Sequence, residues 1–238
     1  AVIRNPILPG FNPDPSICRV GDDYFLVTST FEYFPGVPLF HSRDLVNWRK
    51  IGHVLTRPSQ LPAEPWRPSG GIYAPTLRYH AGTFYMITTN TSTGGNFYVH
   101  TQDPYGEWSD PIWVKQGGID PSLFFDDDGR VYLTSTADVP SPLPAEIDPA
   151  ASFFGIQQSE LDIATGILLT EPKIVWRGTG GRWPEGPHLY KTGGRYYLMA
   201  AEGGTEQGHM ETIARSDSPW GPWESCPRSP SVSHSSYH

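Results

Sequence analysis

The sequence predicts an all-β fold, and three features of the chain support that prediction. Short apolar and aromatic runs alternate with polar residues, which is typical of β-strands. Gly and Pro, at 25 each in 238 residues, are frequent between these runs, as in a turn-rich β-protein. No long stretch repeats apolar residues at helical spacing, and prolines interrupt most candidate helices.

Four similar segments organise the chain, and each is typical of a β-hairpin. Each segment has a proline near the head of a short apolar strand, then a turn rich in small or acidic residues, then an apolar–aromatic strand. The proline and a tyrosine of the second strand lie nine to eleven residues apart. These pairs are Pro15 and Tyr24, Pro75 and Tyr85, Pro121 and Tyr132, and Pro187 and Tyr197.

The hairpins recur at a spacing that suits the blades of a β-propeller. Successive segments begin 60, 46 and about 65 residues apart, and more β-like sequence follows each hairpin, so each unit has room for four strands. We therefore predict a propeller with about four blades in residues 1–228 and an irregular polar tail in residues 229–238. An irregular β-sandwich is the alternative fold. The proline-rich stretch 137–152 is expected to form a surface loop.

Three acidic residues stand at equivalent points of the repeat. The innermost strand of each propeller blade lines the central channel, so the first residues of successive blades converge at one mouth. Asp14, Asp120 and Glu185 occupy this point in three units, and Ala74 occupies it in the second. Glu185 lies one position further from its proline than the aspartates do, which suits a different role. Turn formation is the alternative explanation for any one of these acids.

Clustered carboxylates suit either cleavage of a glycosidic bond or metal binding. Glycoside cleavage needs one protonated acid and one ionised base. A third carboxylate nearby raises the pKa of the acid by like-charge repulsion. Calcium would need more oxygen ligands than three acids supply. The acidic turn 126–129 is similar to a calcium loop, but it lies at a hairpin tip, where a solvated β-turn is expected. We therefore predict no metal ligands.

The composition excludes some functions and leaves the location open. The formal charge of −8, from 25 acidic and 17 basic residues, argues against nucleic acid as a partner and suits a neutral ligand. No apolar run is long enough to predict a membrane span. No leader is visible at the start of the sequence, which favours an intracellular protein unless a leader has been removed. Cys18 and Cys226 do not form a disulfide framework.

Four motifs occur in order along the chain. They are residues 5–16 (NPILPGFNPDPS), 70–76 (GGIYAPT), 118–122 (GIDPS) and 183–188 (WPEGPH). Together they resemble glycoside hydrolase family 43, in particular its β-xylosidases, and the resemblance covers about residues 2–228. It implies a five-bladed propeller that hydrolyses xylo-oligosaccharides, or fragments of arabinoxylan, from the non-reducing end with inversion of anomeric configuration.

The resemblance also implies a role for each acid. Asp14 would be the general base that activates water, and Glu185 would be the general acid that protonates the leaving oxygen. Asp120 would orient Glu185 and raise its pKa. These roles agree with the convergence of the three acids that the repeat predicts.

The resemblance further implies substrate-binding residues. Phe31 corresponds to an aromatic wall for the terminal sugar, and Tyr73 stands where the family often has a tryptophan near the substrate. His188 and His209 could contact sugar hydroxyls. Core packing is the alternative for the two rings, and a structural role is the alternative for the two histidines.

The fifth blade of the family is expected to be missing from this chain, because residues 229–238 are too few to form one. That blade supplies an arginine to the sugar site and a histidine that can hold a central calcium ion, and neither has a counterpart here. No cofactor is expected to be required. Three alternatives therefore stay open: an α-L-arabinofuranosidase, an inactive fragment that only binds sugar, and an oligomer or second chain that completes the propeller.

Overall fold

The computed structural model describes residues 3–61, 66–139 and 153–233. Every regular element in these ranges is a β-strand, so the all-β prediction is confirmed. The chain divides into two compact units, Ala1–Lys115 and Gln116–His238, and each unit contains two antiparallel sheets. Within the described ranges there is no helix that could cross a membrane.

The first unit contains two four-stranded sheets in which neighbouring strands follow one another along the chain. The first sheet consists of β1 (Ser16–Val20), β2 (Asp23–Val27), β3 (Gly36–Ser42) and β4 (Arg49–Leu55). The second sheet consists of β5 (Thr76–His80), β6 (Thr83–Asn90), β7 (Gly95–Thr101) and β8 (Ile112–Trp113). Short turns join the strands, and Gly21 and Gly82 supply the left-handed backbone, with φ of 62° and 86°, that two of these turns require.

The hydrophobic core of the first unit is formed by side chains from both of its sheets. Phe25 of β2 and Phe84 of β6 meet edge to face, with their ring centroids 5.0 Å apart. Leu39, Leu77 and Met86 are at most 1% exposed. Each such side chain stabilises the fold by about 1.5–3 kcal/mol relative to an exposed position, so this core holds the two sheets together.

The second unit contains two sheets of five strands; in each, the first four strands are ordered along the chain and the fifth strand pairs with the third. The third sheet consists of β9 (Ile119–Phe125), β10 (Val131–Val139), β11 (Phe153–Asp162), β12 (Ile167–Leu168) and β13 (Lys173–Trp176). The fourth sheet consists of β14 (Glu185–Thr192), β15 (Arg195–Glu202), β16 (Met210–Ser216), β17 (Glu224–Ser225) and β18 (Val232–Ser233). The four predicted hairpins are therefore confirmed, as β1–β2, β5–β6, β9–β10 and β14–β15.

Two stretches predicted to be irregular contain strand residues. Residues 137–139 belong to β10, where Ala137 pairs with Gly155 of β11, so the predicted surface loop is wrong there. The strand continues because these residues gain ladder hydrogen bonds from β11, which outweigh the turn signal of the prolines that follow. Residues 140–152 lie outside the described residues. Within the predicted polar tail, Val232 pairs with Glu211 of β16.

The acidic turn between β9 and β10 holds a buried carboxylate rather than a wholly solvated one. Asp126 is 4% exposed. Its oxygens accept hydrogen bonds from Lys191 Nζ at 2.7 Å and from the Tyr196 hydroxyl at 2.6 Å. Burial alone would raise the pKa of Asp126, but these hydrogen bonds outweigh it and hold the pKa below its ordinary value. The prediction of a solvated turn is therefore wrong for Asp126, because its partners lie far away in sequence.

We expect Asp126→Ala to lower the free energy of unfolding by about 3–5 kcal/mol, because it leaves Lys191 and Tyr196 without their buried partner. Asp127→Ala is the matched control, since Asp127 is exposed in the same turn and also contacts Lys191, at 3.0 Å; its expected cost is below about 1 kcal/mol. Urea denaturation at neutral pH measures both.

The contribution of Asp126 also depends on pH. Its pKa is lower in the folded chain than in the unfolded chain, so the stabilisation is complete above the ordinary Asp pKa of about 4 and declines as the pH falls below it. Equal losses of stability for the two variants at neutral pH would contradict the assignment.

Candidate active site

The residues at or just before the start of β1, β5, β9 and β14, here called the strand heads, share one backbone arrangement. In the third sheet, Ile119 pairs with Thr136 and Ser122 pairs with Thr134, so two residues of β9 face only Ser135 of β10. In the fourth sheet, Glu185 pairs with Ala201 and His188 pairs with Met199, so two residues of β14 face only Ala200 of β15. This is the geometry of a β-bulge, which reorients side chains and is common beside active sites.

The two sheets of the first unit show the same arrangement just before β1 and β5. The Ser29 N–H donates to the Pro13 carbonyl at 3.0 Å, while Ser16 pairs with Val27. The Tyr73 N–H donates to the Thr89 carbonyl at 3.0 Å, while Thr76 pairs with Ile87. In each case two residues, an Asp-Pro or an Ala-Pro pair, face a single threonine. The repeat seen in the sequence is therefore a repeat of bulged strand heads.

Two of the three acids, Asp14 and Asp120, occupy left-handed positions within these bulges. Asp14 and Asp120 have φ of 53° and 54°, and Gly186, which stands at the equivalent point of the fourth sheet, has φ of 56°. Of the four equivalent positions, all within the described ranges, only Ala74 lies outside the left-handed region. A left-handed non-glycine residue costs about 1–3 kcal/mol, and such residues are enriched at functional sites. The left-handed conformation is thus shared by the two aspartates and by the glycine that follows Glu185.

Asp14 is exposed and held from one side. The Ser29 hydroxyl, which is 1% exposed, donates a hydrogen bond to Asp14 Oδ2 at 2.6 Å. Ser29 lies two residues after the end of β2, so the chain on both sides of the first hairpin sets the orientation of the carboxylate. Asp14 belongs to the first unit, whereas Asp120 and Glu185 belong to the second.

Asp120 and the strand head of Glu185 come together in the second unit. The Gly186 N–H donates to Asp120 Oδ2 at 3.2 Å, so the carboxylate is bonded to the residue that follows Glu185. Asp120 and Glu185 are both half-buried. Gly118, with φ of 83°, lets the chain that leads to Asp120 lie against β10. A Cβ at this position would lie 1.6 Å from the Thr136 carbonyl oxygen. This contact suits a residue that orients another, which is the role the resemblance implies for Asp120.

The two predicted rings pack against each other in the first unit. Phe31 and Tyr73 meet edge to face, with their centroids 5.4 Å apart. Phe31 has φ of 49° and exchanges backbone hydrogen bonds with Ile72 at 2.8 and 3.0 Å. The Phe11 ring, which is 64% exposed, lies 5.9 Å from Phe31. Both predicted rings are half-buried, so they form part of an aromatic surface rather than of the core.

The two predicted histidines have different surroundings. His188 lies on β14, is half-buried and stacks on Tyr190 with an interplanar angle of 14°. His209 Nδ1 donates to the Gly204 carbonyl at 2.7 Å, because a carbonyl oxygen can only accept. That bond ties together the loop between β15 and β16, so a structural role accounts for one nitrogen of His209.

Sequence reasoning assigned no role to several residues at or near these strand heads. Ser29 holds Asp14, and Trp183 has φ of 53° two residues before Glu185. Glu202, at the end of β15, is fully buried and accepts hydrogen bonds from the segment that precedes Trp183. Trp183 lies in a recognised motif, but nothing in the repeat pattern marks Ser29 or Glu202. No group of three or more potential metal ligands occurs among the residues that the structure describes.

The fold has close counterparts among solved structures. A crystal structure of xylan β-1,4-xylosidase from Bacillus halodurans superimposes with a TM-score of 0.88 at 48% identity, and covers 97% of this chain and 44% of that one. This likeness confirms the predicted fold class, a β-propeller of the five-bladed type, of which the described residues of this chain form four blades. Residues 3–238 match the family model described as glycosyl hydrolases family 43, and the chain belongs to that family.

Curated relatives carry two kinds of name. A non-reducing end α-L-arabinofuranosidase of Bacteroides ovatus is 51% identical over 235 residues, which are 97% of this chain and 42% of the relative. A β-xylosidase of Bacillus subtilis is 44% identical, over 96% of this chain and 43% of the relative. The chain thus spans less than half the length of these relatives. The family match continues through residues 229–238, beyond the recognised motifs.

Proposed function

We propose that this chain belongs to the catalytic part of a glycoside hydrolase that releases xylose from the non-reducing end of xylo-oligosaccharides with inversion of anomeric configuration. One observation carries the proposal: acidic residues occupy three of the four bulged strand heads. Asp14 and Asp120 are themselves in left-handed conformations, and Glu185 directly precedes the left-handed Gly186. Membership of the family and the β-xylosidase names of several relatives support the choice of reaction and substrate.

The three acids would divide the reaction between them. Glu185 gives its proton to the glycosidic oxygen as the bond to the anomeric carbon breaks. Asp14 takes a proton from the water that attacks that carbon from the opposite face. The water oxygen forms the new bond, the leaving sugar departs as an alcohol, and the configuration inverts. Asp120 acts on Glu185 through the Gly186 N–H and so orients the acid. Carboxylates suffice for this chemistry, so the proposal needs no cofactor.

Cleavage of α-L-arabinofuranosides is the second candidate. It is favoured by the name of the Bacteroides ovatus relative, which is 51% identical to this chain. A relative from Butyrivibrio fibrisolvens, 48% identical, is named xylosidase/arabinosidase. The same three acids could serve either sugar, because both reactions need one acid and one base across the anomeric carbon. The specificity would then depend on contacts to the ring, for which Phe31, Tyr73 and His188 are our candidates.

The test compares two substrates and follows the product. The protein that carries this chain is incubated with nitrophenyl β-xyloside and with nitrophenyl α-L-arabinofuranoside. The chain alone is assayed in parallel on the same substrates. We expect faster release from the xyloside, and NMR of the nitrophenyl β-xyloside digest should show α-xylose as the first sugar product. First release of β-xylose would contradict inversion. Binding of xylobiose by calorimetry without turnover of either glycoside would favour a protein that only binds sugar.

A further inference from the structure

Glu202 is a buried carboxylate whose four identified hydrogen-bond donors are all neutral. It lies at the end of β15 and is 0% exposed. Its Oε1 accepts from the Thr179 N–H and the Thr212 hydroxyl, both at 2.8 Å. Its Oε2 accepts from the Gly181 N–H at 2.7 Å and from the Thr179 hydroxyl at 3.1 Å. Burying a carboxylate is costly unless such bonds compensate, so an apolar side chain would serve simple packing better.

The segment that Glu202 holds leads directly to Glu185. Thr179 and Gly181 precede Trp183, Pro184 and Glu185 in the chain, and the same segment is attached to the end of β15 a second time. There the Gly203 N–H donates to the Arg182 carbonyl at 2.7 Å. Glu185 itself pairs with Ala201, the residue before Glu202. The end of β15 therefore contacts both the strand head of the acid and the chain that enters it.

Two glycines show how closely this segment is fitted around the carboxylate. A Cβ on Gly181 would lie 2.6 Å from Glu202 Oε2, and a Cβ on Gly178 would lie 2.9 Å from Glu202 Cδ. Separations this short are not found between a real Cβ and its neighbours. The segment thus passes so close to the carboxylate that a side chain at position 178 or 181 would have to displace Glu202.

We infer that Glu202 is a positioning residue for the general acid, acting on Glu185 through the segment 178–184. The inference rests on the proposed function, in which Glu185 protonates the leaving oxygen. Glu202 does not touch the reacting atoms in this scheme. It holds the entering chain by two backbone amides, and those amides set where the strand head of Glu185 begins.

Glutamine cannot replace glutamate in this arrangement. One backbone N–H faces each carboxylate oxygen, from Thr179 on one side and from Gly181 on the other. A backbone N–H can only donate, and so can the NH₂ group of a glutamine. Whichever way the amide turns, its NH₂ meets one of these two donors and a hydrogen bond becomes a repulsive contact. The isosteric Glu202→Gln variant therefore disrupts the hydrogen bonds between this side chain and the segment 178–184 without changing the volume of the side chain.

The experiment compares Glu202→Gln with Glu206→Gln, a matched control whose side chain is exposed in the following loop. Both are made in the protein that carries this chain. We expect Glu202→Gln to lower kcat about 10²-fold on xylobiose, whose leaving group needs protonation, as a displaced catalytic group does. In a xyloside of a strongly acidic phenol, the phenolate leaves without being protonated. The kcat on that substrate should therefore fall much less. Glu206→Gln should leave both rates unchanged.

Two outcomes would overturn the inference: a loss of equal size on both substrates, which indicates a general structural role, or no loss on either. Amide hydrogen exchange of Thr179 and Gly181 provides a readout that does not depend on turnover. Exchange should be faster in Glu202→Gln than in Glu206→Gln. An unchanged rate would overturn the inference that Glu202 holds these two amides. If the wild-type protein cleaves no glycoside, the proposed function fails while this exchange measurement still tests Glu202.

Should Glu202→Gln fail to fold, the milder Thr179→Val variant, which removes one donor, takes its place. Its loss of kcat should be smaller but again greater on xylobiose than on the xyloside of the acidic phenol. Equal losses on the two substrates again overturn the inference.

Discussion

Glu185→Gln is expected to lower kcat on xylobiose by about 10²–10⁴-fold, the usual contribution of a general acid. Glutamine keeps the size of the side chain and its place opposite Ala201, but it has no proton to give to the leaving oxygen. The loss should shrink for a xyloside whose phenol is strongly acidic, because that group departs without protonation. Steady-state kinetics on both substrates measures the difference.

The comparison of substrates within one variant serves as the internal control. Circular dichroism and a urea midpoint equal to those of the wild type would show that the strand head is intact. A loss of the same size on both substrates would contradict the role of Glu185 as the acid. Full activity on xylobiose would contradict the assignment of the site itself.

Asp14→Asn is expected to reduce kcat by a similar factor, about 10²–10⁴-fold, but on both substrates alike. Attack by water needs a base whatever the leaving group is, and a neutral amide is a poor base. Asparagine tolerates the left-handed backbone at position 14, and its amide oxygen can still accept the hydrogen bond from Ser29. The fold should therefore be preserved while the base is lost.

Asp22→Asn is the matched control for this variant, because Asp22 is an exposed aspartate in the turn between β1 and β2. It should keep the wild-type rate. If Asp14→Asn lowers kcat on xylobiose but not on the xyloside of the acidic phenol, Asp14 behaves as an acid rather than a base. The roles of Asp14 and Glu185 must then be exchanged. Measured together, the two substrates separate the acid from the base without reference to any relative.

Much of the fold could be predicted from local sequence. The spacing of Pro15 and Tyr24, and of their equivalents, records a hairpin, since strand length and turn chemistry are local properties. The order of the four hairpins then predicts the four sheets. The prediction was wrong at residues 137–139, where pairing with β11 extends the strand beyond the local turn signal.

The site could be predicted only in part, for a physical reason. Repetition locates Asp14, Asp120 and Glu185 at strand heads, but the left-handed φ at the two aspartates depends on the register of the partner strand. The burial of Asp126 depends on Lys191, 65 residues later, and the role of Glu202 depends on a segment that lies over 20 residues earlier. Such contacts leave no periodic trace in the chain, so only a structure reveals them.

The bulge at Ala74 bears on how this scaffold can change over time. Ala74 and Pro75 face Thr88 as Asp14 and Pro15 face Thr28, although alanine offers no acid–base chemistry. The bulged pairing of a strand head therefore forms without a carboxylate, although Ala74 does not adopt the left-handed φ of the two aspartates. The pairing at such a strand head thus persists whether or not its side chain can exchange a proton, so an acid can be lost there while the bulge is kept.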